Sequence, residues 1–173
     1  MRFTLKVTLI LVITALLGCS PSLNWRDVQP EQAPLSALFP CKPEQNMRGV
    51  NLGGHEVKMK MLGCEAGGLN FALAYADMKT DVALDTVLSQ WRLATLGNLQ
   101  AQSPKVVAFQ MKGSQGAVAA VRVEAQGKRQ DGAELTVQAL WFAVGPHVFQ
   151  ATVLSDKTNA IATETFFEGV RIQ

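Results

Sequence analysis

Charged and aromatic residues are scarce in this chain of 173 residues, at 17% and 7%, and its 16 basic residues nearly balance its 14 acidic ones. A nucleic-acid-binding protein needs a clustered basic surface that displaces counterions, so this balance argues against nucleic acid as a partner. The hydrophobic content of 48% excludes a globally disordered chain. The length fits a single domain.

Catalytic motifs are scarce as well. The sequence contains no Gly-x-Ser-x-Gly elbow, phosphate-binding loop or His-Glu-x-x-His motif, and Ser114, in Gly-Ser-Gln-Gly, falls in a predicted hairpin turn. The two histidines, His55 and His147, adjoin glycine turns, so we interpret both as exposed turn residues rather than as catalytic bases. Solvated turns and strand ends also explain two candidate carboxylate pairs, Glu65 with Asp77 and Asp131 with Glu134. We therefore predict that the protein is not an enzyme.

The start of the chain carries the most specific pattern. Arg2 and Lys6 precede an apolar run at residues 7–17, which is too short for the roughly 20 residues that span a bilayer. Residues 1–18 are therefore predicted to be a signal peptide that is removed. The run ends in Leu-Leu-Gly followed by Cys19, with no Ala-x-Ala-like site nearby, and so resembles the lipobox of bacterial lipoproteins.

This resemblance implies that Cys19 is the mature N-terminus and carries the lipid anchor. Two or three acyl chains make such anchoring effectively permanent, so the membrane is a predicted partner through the N-terminal lipid. In the lipoprotein family an Asp after the Cys commonly marks retention in the inner membrane, whereas this chain has Ser20. The resemblance thus favours the outer membrane of a Gram-negative cell, with the protein facing the periplasm.

The remaining cysteines, Cys41 and Cys64, form an even pair in an oxidising compartment. Residues 46–52 and 56–62 are predicted to form a hairpin across Gly-Gly. If Leu52 faces His55, extending that register brings the two thiols to nearly opposite positions. The sequence therefore predicts a disulfide between Cys41 and Cys64.

The alternative to a disulfide is a copper(I) site. Seven side chains offer the thioether, thiolate and imidazole ligands that copper(I) prefers: Met47, Met59, Met61, Met78, Cys41, Cys64 and His55. However, Val57, Met59 and Met61 alternate with charged residues, as in a strand with one buried face. No compact metal-binding spacing occurs. We therefore predict neither a metal nor a cofactor.

The chain beyond Cys19 divides into two predicted parts. Residues 19–34 are the lipidated Cys and a proline-containing tether, in which Trp25 and Val28 are candidates to dock on the domain. Residues 35–173 are one α+β domain with an antiparallel sheet of about six to eight strands and two main helices packed on it. One helix is predicted from Thr80 or Asp81 to about residue 96 and the other over residues 159–169. The packing candidates of the second helix are Ile161, Phe166, Phe167 and Val170.

The order of these elements resembles the α/β/α sandwich of the PsbP-type extrinsic proteins of photosystem II and the Mog-type Ran-binding nuclear-import factor. The resemblance rests on residues 39–43, Phe-Pro-Cys-Lys-Pro, on a three-strand meander followed by a helix and four strands, and on the closing Phe-Phe-x-x-Val helix. Residues 23–26 and 63–68, together with residues 39–43, are also similar to envelope lipoproteins of beta-proteobacteria without an assigned activity. The two named families act as protein-binding accessories.

Two functions are therefore expected from different classes. The first is a non-catalytic, protein-binding accessory module with an envelope protein as partner. The second is a carrier of a small apolar ligand or lipid, whose identity the sequence does not give. An enclosed apolar cavity would favour the carrier, and a cleft with converging titratable groups would favour an enzyme. A hydrolase and a copper-binding protein rank below both.

Overall fold

The computed structural model describes residues 22–78, 83–112 and 119–173. The described strands are β1 (Arg26–Val28), β2 (Leu35–Phe39), β3 (Glu44–Leu52), β4 (His55–Ala66), β5 (Leu69–Asp77), β6 (Gln102–Val107), β7 (Val121–Lys128), β8 (Glu134–Val144), β9 (His147–Ser155) and β10 (Arg171–Ile172). The helices are α1 (Leu84–Asn98) and α2 (Ala160–Glu168). Seven strands form one antiparallel sheet in the order β3-β4-β5-β9-β8-β7-β6, and a small sheet has the order β1-β2-β10. The predicted α+β class, strand number and two helices are confirmed.

The seven-stranded sheet is covered on both faces. Alternate residues of a strand point to opposite faces, so β5 sends its large side chains, such as Phe71, toward α2 and the small sheet, while Ala74 faces α1. The first layer holds a cluster of aromatic rings from several elements, with Phe166 of α2 5.3 Å from both Phe39 and Phe71. The second layer packs Val87 and Trp91 of α1 against the other face.

The β3–β4 hairpin has the predicted register, with Leu52 opposite His55. Its turn needs glycine, because Gly53 has a φ of +62° and Gly54 a φ of +86°. At Gly53 the space is also filled, since a Cβ there would lie 2.7 Å from Cγ2 of Val87 in α1. The hairpin turn therefore also serves as a contact for the helix.

The two helices differ in how closely they follow the prediction. The cap candidates Thr80 and Asp81 lie outside the described residues, and Ala83 stands at the N-cap of α1 without a side-chain hydrogen bond. The α2 helix is capped by Asn159, whose side chain accepts a hydrogen bond from the N–H of Ala162. The prediction that Ile161 packs in the core is wrong, because its side chain is 82% exposed. It lies about 100° around the helix from the buried stripe that starts at Ala162.

Strand boundaries shift near the far edge of the sheet. The edge strand β6 lies at Gln102–Val107, four residues earlier than the predicted strand at 106–111, and contains Pro104 and a register shift. Proline and bulges are common on edge strands because the outer N–H groups need no partner there. The predicted strand at 117–125 is described from Val121 onward, and Ser114 lies outside the described residues.

Part of the predicted tether is folded. β1 pairs with β2, and the Trp25 ring lies 6.1 Å from that of Phe71 in an edge-to-face contact. The N–H of Asn24 donates to the carbonyl of Pro40 at 2.7 Å. The segment packs on the domain because this buries the apolar side chains of Trp25 and Val28 against the core. The folded part thus begins before residue 35, while the predicted signal peptide and Cys19 lie outside the described residues.

Candidate functional site

The central sheet divides at one end, between β4 and β5. Their pairing runs from Ala66–Leu69 to Lys60–Tyr75 and stops there. Beyond that point β4 continues to pair with β3 as far as His55, and β5 continues to pair with β9 as far as Asp77. The N–H of Met78 donates to the carbonyl of Pro146, which keeps the chain leaving β5 beside the β8–β9 turn. The two strands therefore separate instead of closing the sheet.

A cleft of about 790 Å³ lies at this separation, and we refer to it as the strand cleft. Its size falls in the range of small-molecule and peptide pockets. The lining mixes charged, imidazole and apolar side chains from four strands, β3, β4, β5 and β9, and from the loop before β2. The described lining residues are Gln32, Met47, Gly54, His55, Glu56, Val57, Lys58, Lys60, Tyr75, Ala76, Asp77, Met78 and His147.

One wall of the strand cleft is held by the loop before β2. The hydroxyl of Tyr75 donates to the carbonyl of Glu31 at 2.9 Å, and Nζ of Lys60 donates to Oε1 of Gln32 at 3.0 Å. Burial, and to a smaller extent the charge of Glu31, together raise the pKa of Tyr75 to about 12. Tyr75 is therefore a neutral hydroxyl that positions the loop, and it is not a base at neutral pH.

His55 and His147 both line the strand cleft. The sequence predicted them to be separate turn residues and did not predict that they lie at the same site. His55 is exposed at the start of β4, as predicted. His147 is only partly exposed, and its Nδ1 atom is buried without a hydrogen-bond partner. In the described part of the chain neither imidazole donates to or accepts from a carboxylate or hydroxyl side chain. The cleft thus lacks, among these residues, the base–orienter contact expected of nucleophilic catalysis.

The charged side chains of the cleft fall into engaged and free groups. Glu56 accepts a hydrogen bond from Nδ2 of Asn51 at 3.0 Å, and Asp77 also has a partner. Among the described residues, the side chain of Lys58 makes no hydrogen bond or ion pair. The free charged group of the cleft is therefore the ammonium group of Lys58, which favours a carboxylate or another anion over a cation.

The other candidate residues are dispersed or used structurally. Glu65 lies opposite Asn70, seven residues along β5 from Asp77, so the first carboxylate pair is about 23 Å apart. The carboxylate of Asp131 is used within its own turn, where it accepts a hydrogen bond from the N–H of Ala133 at 3.0 Å. Among residues 22–78, 83–112 and 119–173, no group of three His, Cys, Asp or Glu side chains could hold a metal ion.

Cys41 and Cys64 form a disulfide, with Cα atoms 6.1 Å apart, which confirms the predicted pairing. The copper alternative loses both thiolates through this bond. The methionines also divide, because Met59 and Met61 pack on the α1 side of the sheet while Met47 borders the strand cleft. Met78 packs with Met59 and Met61 and also lines the strand cleft, together with Met47 and His55.

A buried charge lies under α2 that was not predicted from the sequence. Arg122 of β7 is 3% exposed, and its guanidinium donates to Glu164 at 2.5 and 2.8 Å and to Gln138 at 2.6 Å. Its Cζ atom lies 4.5 Å from the centre of the Phe167 ring. Its Nε atom is buried without a partner, so the hydrogen bonds to Glu164 and Gln138 are what compensate the buried cation, and the bonds to Glu164 tie α2 to the sheet.

We expect the contact between Arg122 and Glu164 to make stability depend on pH. Hydrogen bonds from Arg122 hold the pKa of the Glu164 carboxyl below its usual value. The ionised form therefore stabilises the fold above the unfolded-state pKa of about 4.3, and this contribution is lost as pH falls through the lower folded-state pKa. Urea unfolding from pH 7 to 2.5 should show a constant stability gap between the wild type and Glu164→Gln above about pH 5.

Below about pH 5 the difference in unfolding free energy between the wild type and Glu164→Gln should become smaller. In an Arg122→Met background, Glu164→Gln should produce no pH-dependent gap, because the donor that lowers the pKa is gone. A gap that widens on acidification would contradict this account.

The comparisons with known proteins give no family. No family model and no curated protein matches the chain. Among solved structures, the chain is similar to PA94, a protein of unknown function from Pseudomonas aeruginosa, at 13% identity and a TM-score of 0.38. That match covers 81% of this chain and 86% of PA94. The similarity is distant, and no functional argument rests on it.

Proposed function

We propose that the chain is a lipid-anchored, non-catalytic protein-binding module of the bacterial cell envelope. The lipobox-like run that ends at Cys19 supports the anchor, and Ser20 supports the outer membrane, facing the periplasm. Neither helix described in the structure is long and apolar enough to cross a membrane. The PsbP-like and Mog-like order of elements supports an accessory role, since those families bind proteins.

The observation that carries the binding role is the strand cleft. It opens at the surface and combines free cationic and imidazole groups with apolar side chains, including Met47, which is 54% exposed. Binding surfaces use this combination, in which apolar contacts supply affinity and a few polar groups orient the partner. Because neither His55 nor His147 is paired with a described carboxylate or hydroxyl side chain, the same cleft supports binding better than catalysis.

Site-specific photo-crosslinking tests the binding role. A photoreactive amino acid is placed at Met47, beside the strand cleft, or at Leu93, which is 65% exposed on α1 and does not line it. In intact cells we expect one abundant adduct from position 47, none at the same mass from position 93, and loss of the adduct with Lys58→Glu. Equal adducts from both positions, or no protein adduct at all, would count against the proposal. An adduct with a small apolar molecule would instead favour the carrier.

Membrane fractionation tests the anchor separately. With Cys19→Ala no acyl chains can be attached, so the protein should move from the membrane fraction to the soluble or unprocessed fraction. Mass spectrometry of the wild-type N-terminus should find an acylated Cys19. An unmodified Cys19 in mature protein would refute the anchor without affecting the cleft.

A further inference from the structure

The separation of β4 from β5 indicates what kind of segment a partner presents. Resting on the proposed function, we infer that the strand cleft binds an extended partner segment of alternating acidic and apolar residues, which adds as a strand between β4 and β5. Each of these two strands keeps its pairing on the other side, to β3 and to β9. Within the described residues, the edges that face each other across the cleft are therefore the unpaired ones.

Backbone hydrogen bonding explains the extended form. An added strand gains affinity from main-chain contacts at an exposed edge, while side-chain pockets select its sequence. The five residues of β4 before Lys60 lie past the end of the β4–β5 pairing. Because Met78 is held to Pro146, the described chain after β5 does not return to β4. As far as the described residues go, this edge is therefore open to a segment from another protein.

The two faces of the split explain the alternation. Lys58 and Lys60 lie on the same face as Tyr75, because they are two residues apart on β4 and Lys60 is paired with Tyr75. Val57 and Met78 belong to the opposite face, on the α1 side. A strand between them sends successive side chains toward the lysines and toward the apolar side. A segment of alternating acidic and apolar residues would therefore place its acidic side chains toward the lysines and its apolar side chains toward Val57 and Met78.

The free groups also set the sign of the charge. Glu56 and Asp77 already have partners, whereas the ammonium group of Lys58 has none among the described side chains. Nδ1 of His147 is buried in the same cleft lining without a partner. A carboxylate on the partner would accept from Nζ of Lys58, and a basic segment would place like charge against it.

Peptide binding to the full chain purified from membranes and placed in phosphatidylcholine nanodiscs tests this inference. The probes are three fluorescent decapeptides: alternating valine and glutamate, alternating valine and lysine, and the glutamate peptide with a central proline. By fluorescence anisotropy we expect the glutamate peptide to bind at least tenfold more tightly than either of the others. Proline should weaken binding because it removes a main-chain donor.

Matched variants locate the binding. Lys58→Glu should weaken binding of the glutamate peptide at least tenfold, whereas Lys157→Glu, in the exposed loop after β9, should change it less than twofold. Hydrogen exchange should slow at residues 55–59 and 76–78 when the glutamate peptide is bound. Equal binding of all three peptides, equal effects of the two variants, or competition by oleate without slowed exchange would each overturn strand addition. A cleft-specific crosslink from position 47 would then still support protein binding, so the two proposals fail separately.

Discussion

Replacing Glu164 by alanine is expected to lower the free energy of unfolding by about 2–4 kcal/mol. The substitution removes two hydrogen bonds from a guanidinium group that is 3% exposed and leaves that cation buried. Although the Glu164 side chain is itself 49% exposed, removing it is costly because the buried cation of Arg122 loses its main compensating charge. The expected loss is smaller than the roughly 3–5 kcal/mol typical of breaking a buried ion pair, because Gln138 and Glu124 still face Arg122.

The matched control is one turn further along α2. Glu168 pairs with Lys112 at 2.8 Å, but both side chains are more than half exposed, so Glu168→Ala should cost less than about 0.5 kcal/mol. Arg122→Met should cost less than Glu164→Ala, because the methionine can pack on Phe167 and the freed carboxylate of Glu164 can reach water. Urea unfolding monitored by tryptophan fluorescence measures all three. Equal losses for Glu164→Ala and Glu168→Ala would contradict the buried-charge account.

Removal of the disulfide is expected to lower stability by about 3 kcal/mol. Cys41 and Cys64 close a loop with a sequence separation of 23 residues, and the chain-entropy relation gives this magnitude for such a loop. For a domain of this size the loss corresponds to a decrease in melting temperature of about 6–12 °C. Calorimetry of the Cys41→Ala, Cys64→Ala double variant measures it directly.

Reductant provides the control for the disulfide prediction. Dithiothreitol should lower the melting temperature of the wild type to near that of the double variant and leave the double variant unchanged. A double variant as stable as the oxidised wild type would show that the loop is already restricted in the unfolded chain.

Features that depend on neighbouring residues in the sequence were predictable. The Gly53-Gly54 turn sets the β3–β4 register, and that register in turn brings Cys41 near Cys64. Asn159 before an apolar stripe likewise predicts the start of α2, because the asparagine side chain caps the first turn.

The strand cleft was not predictable in this way. Alternation in β4 and β5 suggests that they pair along their whole length, because a hairpin turn joins them. Past the point of separation β5 stays paired with β9, through residues 70 positions later in the chain in the case of His147 with Asp77, and such a distant pairing cannot be read from local alternation. Arg122 was not predicted to be buried for a similar reason. A charged residue between Val121 and Val123 is also what a strand with one solvent-facing side shows, and the acid that neutralises Arg122 comes from α2.

The pairing of β1 with β2 limits the height of the domain above a membrane. Leu23 packs beside Gly67 at the β4–β5 turn, only four residues after Cys19, which is a reach of at most about 14 Å. The strand cleft lies at the other end of β4, whose 12 residues span roughly 40 Å. With Cys19 acylated as proposed, the disulfide end of the sheet stands close to the lipid headgroups. The cleft is then raised into the aqueous space, within reach of proteins that never touch the bilayer.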